Sequence, residues 1–347
     1  MVIIFHWSPN SHHFLLPLGS WGVELFFVLS GFLITKILLD DRISAGVNSQ
    51  NKIAVIKNFL LRRCLRIFPI YYLSLIVILL FDRTNISGLR DHWLYFAGYA
   101  SNIFYFKTQH FNYPMAHFWS LAVEEQFYLI WPWFILFLPW KYIKAFFWIS
   151  IVVGIGSRII LAQLFTTTDV SVDVLTPTCF DGFSIGGLFS WYAIKQRQDL
   201  ESIIRKINIA GSVAFIIMMA FLIVNFNQLS VFHRTLSSLF FLALIANAYK
   251  GFKGVAGKVA DNKVLLYLGK ISYGLYIYHL ITPWLTIVFL NVISKSKNAI
   301  GTFFANGYYN MNFISKFTID LAILLLVSTL SWYLVEKPVN KYKQWFR

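Results

Sequence analysis

Residues 22–39 read Gly22-Val-Glu-Leu-Phe-Phe-Val-Leu-Ser-Gly-Phe-Leu-Ile-Thr-Lys-Ile-Leu-Leu39. As an α-helix this run is roughly 27 Å long, close to the ~30 Å hydrocarbon layer of a bilayer. Its ionisable residues lie toward its ends, Glu24 in the first turn and Lys36 in the last. Comparable stretches recur at about 67–81, 118–138, 145–165, 179–194, 207–225, 235–249, 264–289 and 314–334, each read as a span. A partial span begins at Met1, and the broken aromatic stretch Trp93 to Phe106 reads as interfacial or re-entrant. The composition agrees: of 347 residues 58% are apolar and 13% charged, with a mean hydropathy of +0.62. A soluble domain cannot hide that much apolar surface.

The expected fold is therefore all-α, a polytopic transmembrane bundle of about ten spans with its first span truncated. Its formal net charge of +15 does not point to nucleic acid. The Lys and Arg residues fall in short bursts between apolar runs rather than on one face. If the connection Ser8 to Ser20 lies outside, 21 of the 30 Lys and Arg fall on the opposite side with the C-terminus and 7 on the first side. That asymmetry predicts both termini in the cytoplasm. Arg158 and Lys270 lie within spans and need a partner or an aqueous cavity. Asp181 and Asp320 are candidates to neutralise them.

No repeat, secretory signal or appended soluble fold is read, so residues 1–347 are expected to form a single integral-membrane domain. Two cysteines, Cys64 and Cys179, cannot build a disulfide framework or a zinc site, and no metal is expected. Chemistry must then come from ionisable groups in the spans, which cost at least about 2.5 kcal/mol each on insertion scales. On the predicted topology His6 and Glu24 face each other at similar depth across a short turn. His117, Ser120, Glu124, Glu125 and His279 converge on the same outer half. Arg62, Arg63 and Arg66 crowd the cytoplasmic mouth of the span that opens near Ile67. A neutral imidazole can take a hydroxyl proton as the oxygen attacks a thioester, and a carboxylate can fix its tautomer.

Five stretches carry a resemblance: Gly22 to Thr35, Arg62-Arg-Cys-Leu-Arg-Ile-Phe-Pro-Ile-Tyr-Tyr72, His117-Phe-Trp-Ser-Leu-Ala-Val-Glu-Glu-Gln-Phe-Tyr128, Tyr273-Gly-Leu-Tyr-Ile-Tyr-His279 and Glu336-Lys-Pro338. In order and spacing they resemble the acyltransferase type 3 family across nearly the whole chain. The resemblance implies a multi-pass enzyme of the bacterial inner membrane. It would move an acyl group, usually acetyl, from acyl-CoA to a cell-surface glycan or glycolipid such as O-antigen or exopolysaccharide. It places the essential first-span His at His6 and the Arg-x-x-Arg motif at Arg63 and Arg66, read as the donor site, while the predicted topology adds Glu24 as the catalytic partner of His6. His117, Ser120, Glu124, Glu125, Tyr278 and His279 would support the acceptor side. The implied partners are membrane lipid, acyl-CoA and the glycan, with no permanently bound cofactor and no nucleic acid.

The family pattern also has an Arg about three helical turns before its His. Here the chain starts five residues before His6, so a misassigned start or a truncated, inactive product is expected. The intact remainder favours the first.

Blander readings stand beside these. His6 by position alone is an interfacial histidine, and from charge alone the Arg cluster serves equally as a topology anchor. Adjacent Glu124 and Glu125 point about 100° apart on a helix, so one of them is structural. The small-residue run Gly182 to Gly187 suits close helix approach better than phosphate binding. A glycan or lipid-linked sugar transporter or flippase would also need buried charge and two-sided access, but it would be expected to show matching halves, and none is evident.

Overall fold

The computed structural model describes residues 1–8, 16–48, 51–165, 170–224, 230–295 and 299–346. All regular structure among them is helical. In chain order the helices are α1 (Val2–Trp7), α2 (Leu18–Asn48), α3 (Lys52–Phe81), α4 (Leu89–Ala97), α5 (Ser101–Thr108), α6 (Phe118–Phe137), α7 (Trp140–Leu164), α8 (Phe180–Lys195), α9 (Leu200–Val224) and α10 (Ser230–Lys250). There follow α11 (Gly254–Ala260), α12 (Lys263–Lys270), α13 (Ser272–Tyr278), α14 (Ile281–Lys295), α15 (Ala299–Asn310), α16 (Phe313–Ser331) and α17 (Lys337–Asn340).

Six of the described helices are long and apolar enough to cross a membrane, and the bent pair α13–α14 makes seven. Large apolar side chains such as Leu80, Val152, Ile216, Ile223 and Leu326 are exposed along them. That exposure suits hydrocarbon, while the helical backbone satisfies its own hydrogen bonds. Two expected spans, α6 and α8, fall outside this count. The 16 residues of α8 reach only about 24 Å, and α6 carries Glu124, Glu125 and Gln126.

Two expectations about local structure are corrected. The connection expected between the apolar runs 22–39 and 67–81 is mostly helix, because α2 runs on to Asn48 and α3 already begins at Lys52. Buried Val55, Ile56 and Phe59 hold that extra part of α3 in place. The span 264–289 is broken rather than continuous, with α13 and α14 meeting at a 48° bend. Pro283 explains the break: it has no N–H, and its ring would collide with the carbonyl of His279 in a straight helix.

The chain forms two compact units. The first comprises Met1–Lys57, Tyr99–His110 and Trp119–Lys258. Its core is built where α2 and α8 pack closely around Val28, Phe32, Ile185 and Phe189. Gly31 and Gly186 make this approach possible, since a Cβ on either would strike the backbone of the other helix. The small-residue run thus serves helix packing, as expected. Phe127 and Phe183 stack at 4.0 Å beside it. Ser190 donates to the Phe32 carbonyl at 2.8 Å, and Trp131 to Thr35 at 2.8 Å.

The second unit comprises Asn58–Gly98, Phe111–Phe118 and Val259–Arg347. Here α13 packs on α16, with Gly274 against Ser328. The phenol hydroxyls of Tyr71 and Tyr72 donate to the carbonyls of Phe96 and Ala97 at 2.7 and 2.9 Å, tying α3 to the end of α4. Asp320, a candidate partner for Lys270, instead accepts from Tyr308 at 3.0 Å. Burial pushes the Tyr113 phenol up to about 12, with the Asp320 charge adding to the effect.

Candidate functional site

The predicted site residues divide between the two units. His6, Glu24, Ser120, Glu124 and Glu125 belong to the first, and Arg63, Arg66, His117, Tyr278 and His279 to the second.

In the first unit, α1 lies against the start of α2, with Val2 at Gly22 and Phe5 at Gly19. Positions 2 and 5 share one face of a helix. His6 follows them in the last turn and is exposed. The antiparallel register sets His6 level with about Leu18, so Glu24 lies roughly 9 Å further along α2. The expectation of similar depth is corrected accordingly. Glu24 is buried, and its carboxylate pairs with the Arg234 guanidinium through Nε and accepts from Ser238 Oγ at 3.2 Å. A carboxylate at this depth needs a cation more than it needs an imidazole. Arg234 also donates to the Asp173 carbonyl at 2.6 Å. Arg234 was not singled out from the sequence. The signal for its role was Glu24 itself, a buried acid that required a cation from another span.

A second ion pair lies in the same unit. Arg158 donates to both oxygens of Asp181, at 2.9 and 2.6 Å, and both side chains are 1% exposed. Thr235 bridges them, and the Thr178 carbonyl accepts from Arg158 at 2.7 Å. Asp181 thus neutralises Arg158, one of the pairings that the cost of intramembrane charge led us to expect.

Glu124 and Glu125 are both buried, as is Ser120. Glu124 accepts from Ser30 Oγ at 2.8 Å and from the Tyr128 hydroxyl one turn on. It links α2 to α6 through these hydrogen bonds. A further polar cluster links Asn102, Gln126 and Thr176, and Gln126 donates to the Tyr99 carbonyl at 2.8 Å. The sequence reading did not single these three out.

In the second unit His117 and His279 come together, with ring centroids 4.5 Å apart, and both are buried. His279 stands at the α13–α14 bend. Its Nδ1 lies 2.7 Å from the Tyr276 carbonyl, and His117 Nε2 lies 3.0 Å from the Ile277 carbonyl. A carbonyl can only accept, so each of these nitrogens carries a proton. The other ring nitrogens, His117 Nδ1 and His279 Nε2, are the positions where a neutral imidazole would accept. Tyr278, expected as an acceptor-side or supporting residue, shares a hydrogen bond with Ser331 at 3.1 Å.

The arginines of α3 form a separate cluster. Arg66 is exposed, and Arg63 is half-buried over the Phe59 ring at 5.6 Å. Arg62 donates to the Phe346 carbonyl at 3.1 Å, fastening the C-terminal turn to α3. The turn brings Lys343 into the electrostatic reach of Arg63, Arg66 and Glu336. The cationic mouth thus contains at least one residue more than the sequence motif, together with a buried acid.

The first unit holds an exposed imidazole and carboxylates bound by guanidinium or hydroxyl groups, and the second holds two buried imidazoles and a cluster of cations suited to phosphate. Comparison with known proteins identifies the family. Residues 1–336 match the family described as an acyltransferase domain. The peptidoglycan O-acetyltransferase OatA of Listeria monocytogenes is 30% identical over 346 residues, covering 93% of this chain and 51% of that protein. The O-acetyltransferase OatA of Staphylococcus aureus is 27% identical over 371 residues, covering 98% of this chain and 55% of that one. The chain therefore spans about half the length of the curated relatives it matches. No solved structure matches it.

Proposed function

We propose, from the premise that this chain belongs to the acyltransferase domain family, that it is a multi-pass membrane O-acyltransferase using acyl-CoA to acylate a cell-surface glycan or glycolipid. The observation that carries this reading is the family match over residues 1–336, which takes in all four predicted catalytic and donor residues. The name of the Listeria relative favours an acetyl group and a peptidoglycan hydroxyl. We read the matched stretch as one acyltransferase domain of about ten spans in a bacterial inner membrane, with both termini cytoplasmic.

In this mechanism His6 accepts the proton of the acceptor hydroxyl while the oxygen attacks the thioester carbonyl. The C–S bond then breaks, and the departing thiolate takes up a proton. Arg63 and Arg66 hold the phosphates of the donor. Glu24 acts through Arg234, keeping the outer part of the first unit polar and fixed. The His117–His279 pair relays or holds protons on the acceptor side.

Membranes containing the chain should transfer label from acetyl-CoA to a peptidoglycan fragment. Arg66→Ala should raise the KM for acetyl-CoA about tenfold with kcat nearly unchanged, because a cation on the phosphates binds ground and transition states alike. A fall in kcat at saturating donor with KM untouched would move Arg66 into the chemistry and remove it from the donor site.

Topology is tested separately, in a variant lacking Cys64 and Cys179. Single cysteines in the segments Ser8 to Ser20 and Thr166 to Thr178 should react with an impermeant thiol reagent in intact cells. Cysteines near Asn48 and Lys253 should react only once the membrane is opened. Labelling near Asn48 from outside would put the donor mouth in a compartment without coenzyme A and would favour the transporter reading instead.

A further inference from the structure

Glu336 is 3% exposed, and its Oε1 has no hydrogen-bond partner among the described residues. It ends a π-helical turn, Trp332–Glu336, directly before α17. Pro338 accounts for that turn: it cannot donate to the Leu334 carbonyl, and its ring forces the winding to widen. The widened turn directs Glu336 inward, where a Cβ on Gly274 would stand 3.6 Å from Oε1. Tyr278 does not close the site, since its hydroxyl is engaged with Ser331 at 3.1 Å. The cations that act on Glu336 are Arg66 from α3 and Lys343 from the C-terminal turn. Buried carboxylates are ordinarily completed by a full set of hydrogen bonds or a direct ion pair. Here one oxygen is buried without a hydrogen bond, within the electrostatic reach of two cations.

We propose that Glu336 is a donor-binding residue, whose Oε1 accepts an N–H or O–H of the acyl donor while Arg66 and Lys343 take the neighbouring phosphate. A site built only to hold an anion would gain nothing from a carboxylate among its cations. A ligand carrying a phosphate next to a hydrogen-bond donor needs both charges. This inference rests on the acyl-CoA reading above. Coenzyme A offers that combination twice, in its nucleotide and in the hydroxyl and amide groups of its pantetheine arm.

The test measures KM and kcat for wild type, Glu336→Gln and Glu336→Leu with two donors, acetyl-CoA and acetyl-phosphopantetheine, which lacks the nucleotide. Glu336→Leu should raise KM about tenfold or more, the loss expected for a hydrogen bond to a charged group. Glu336→Gln, nearly isosteric, should raise it about threefold by weakening a charge-assisted bond. In both variants kcat should stay within about twofold of wild type. An equal rise on both donors places the contact on the pantetheine arm, and a rise confined to acetyl-CoA places it on the nucleotide. Unchanged KM in Glu336→Gln, with Glu336→Leu either unchanged or failing to accumulate, overturns the assignment and leaves Glu336 a structural residue. Wild-type protein that turns over neither donor overturns the acyl-CoA reading itself, an outcome visible before any variant is compared.

Discussion

Replacing His6 by Ala is expected to lower acetyl transfer about 100-fold or more, the usual contribution of a positioned general base. Insertion and abundance should stay near wild type. The second half of this expectation rests on the seating of the six-residue helix α1, in which Val2 and Phe5 pack on Gly22 and Gly19 of α2. Removing the ring gives up its 5.4 Å contact with the Phe5 ring, while the Val2 and Phe5 contacts with α2 remain. The first half depends on His6 being the proton acceptor rather than an interfacial anchor. Initial rates with labelled acetyl-CoA, normalised to the amount of protein in the membrane, separate the two. Activity above about a tenth of wild type would assign the base elsewhere, and the buried His117–His279 pair would then be the first alternative to examine. His6→Gln should be as inactive as His6→Ala, since an amide retains much of the volume without the basic nitrogen.

The spans were legible because hydrophobic length is written locally: α2, α7, α9 and α10 lie close to where apolar runs placed them. Their ends were less legible. α3 begins 15 residues before the apolar run at 67–81, since a helix can continue through Lys and Arg wherever residues such as Phe59 find a core. The bend at His279 was written in Pro283, but the apolar pattern on either side concealed it. The site was legible as a set of residue types and much less so as pairings. Glu24 could be recognised as a buried acid, yet its partner Arg234 lies 210 positions away, and no local pattern connects them. Depth was also misjudged. The level of His6 relative to Glu24 depends on how α1 seats on Gly19 and Gly22, which is a packing decision. Glu336 was visible only as part of a motif. Its burial follows from the winding that Pro338 imposes, a consequence two steps removed from composition.

The largest effect on stability is expected at the Arg158–Asp181 pair. Asp181→Ala should destabilise the first unit by about 3–5 kcal/mol, because it strands a guanidinium in a site with almost no solvent. Three helices converge on this pair: Arg158 comes from α7, Asp181 from α8 and the bridging Thr235 from α10. Losing the acid therefore loosens all three at once, and the Thr178 carbonyl is left as Arg158's remaining acceptor beside Thr235. The Coulomb attraction of the pair is only part of the effect. Taking a lone charge out of water costs more than a matched pair returns, so removing both should hurt less than removing one. The double variant Arg158→Met/Asp181→Leu is accordingly expected to recover most of the thermal stability lost in Asp181→Ala, measured by unfolding of the detergent-solubilised protein. If the single variant unfolds within a degree or two of wild type, a shift well below the ~2–4 °C that 1 kcal/mol produces in a domain of this size class, water must reach the guanidinium and the pair cannot be the dry strut its burial describes. If the double variant is the less stable of the two, the pair itself contributes net stability, and this polar part of the first unit is held together by charge more than by packing.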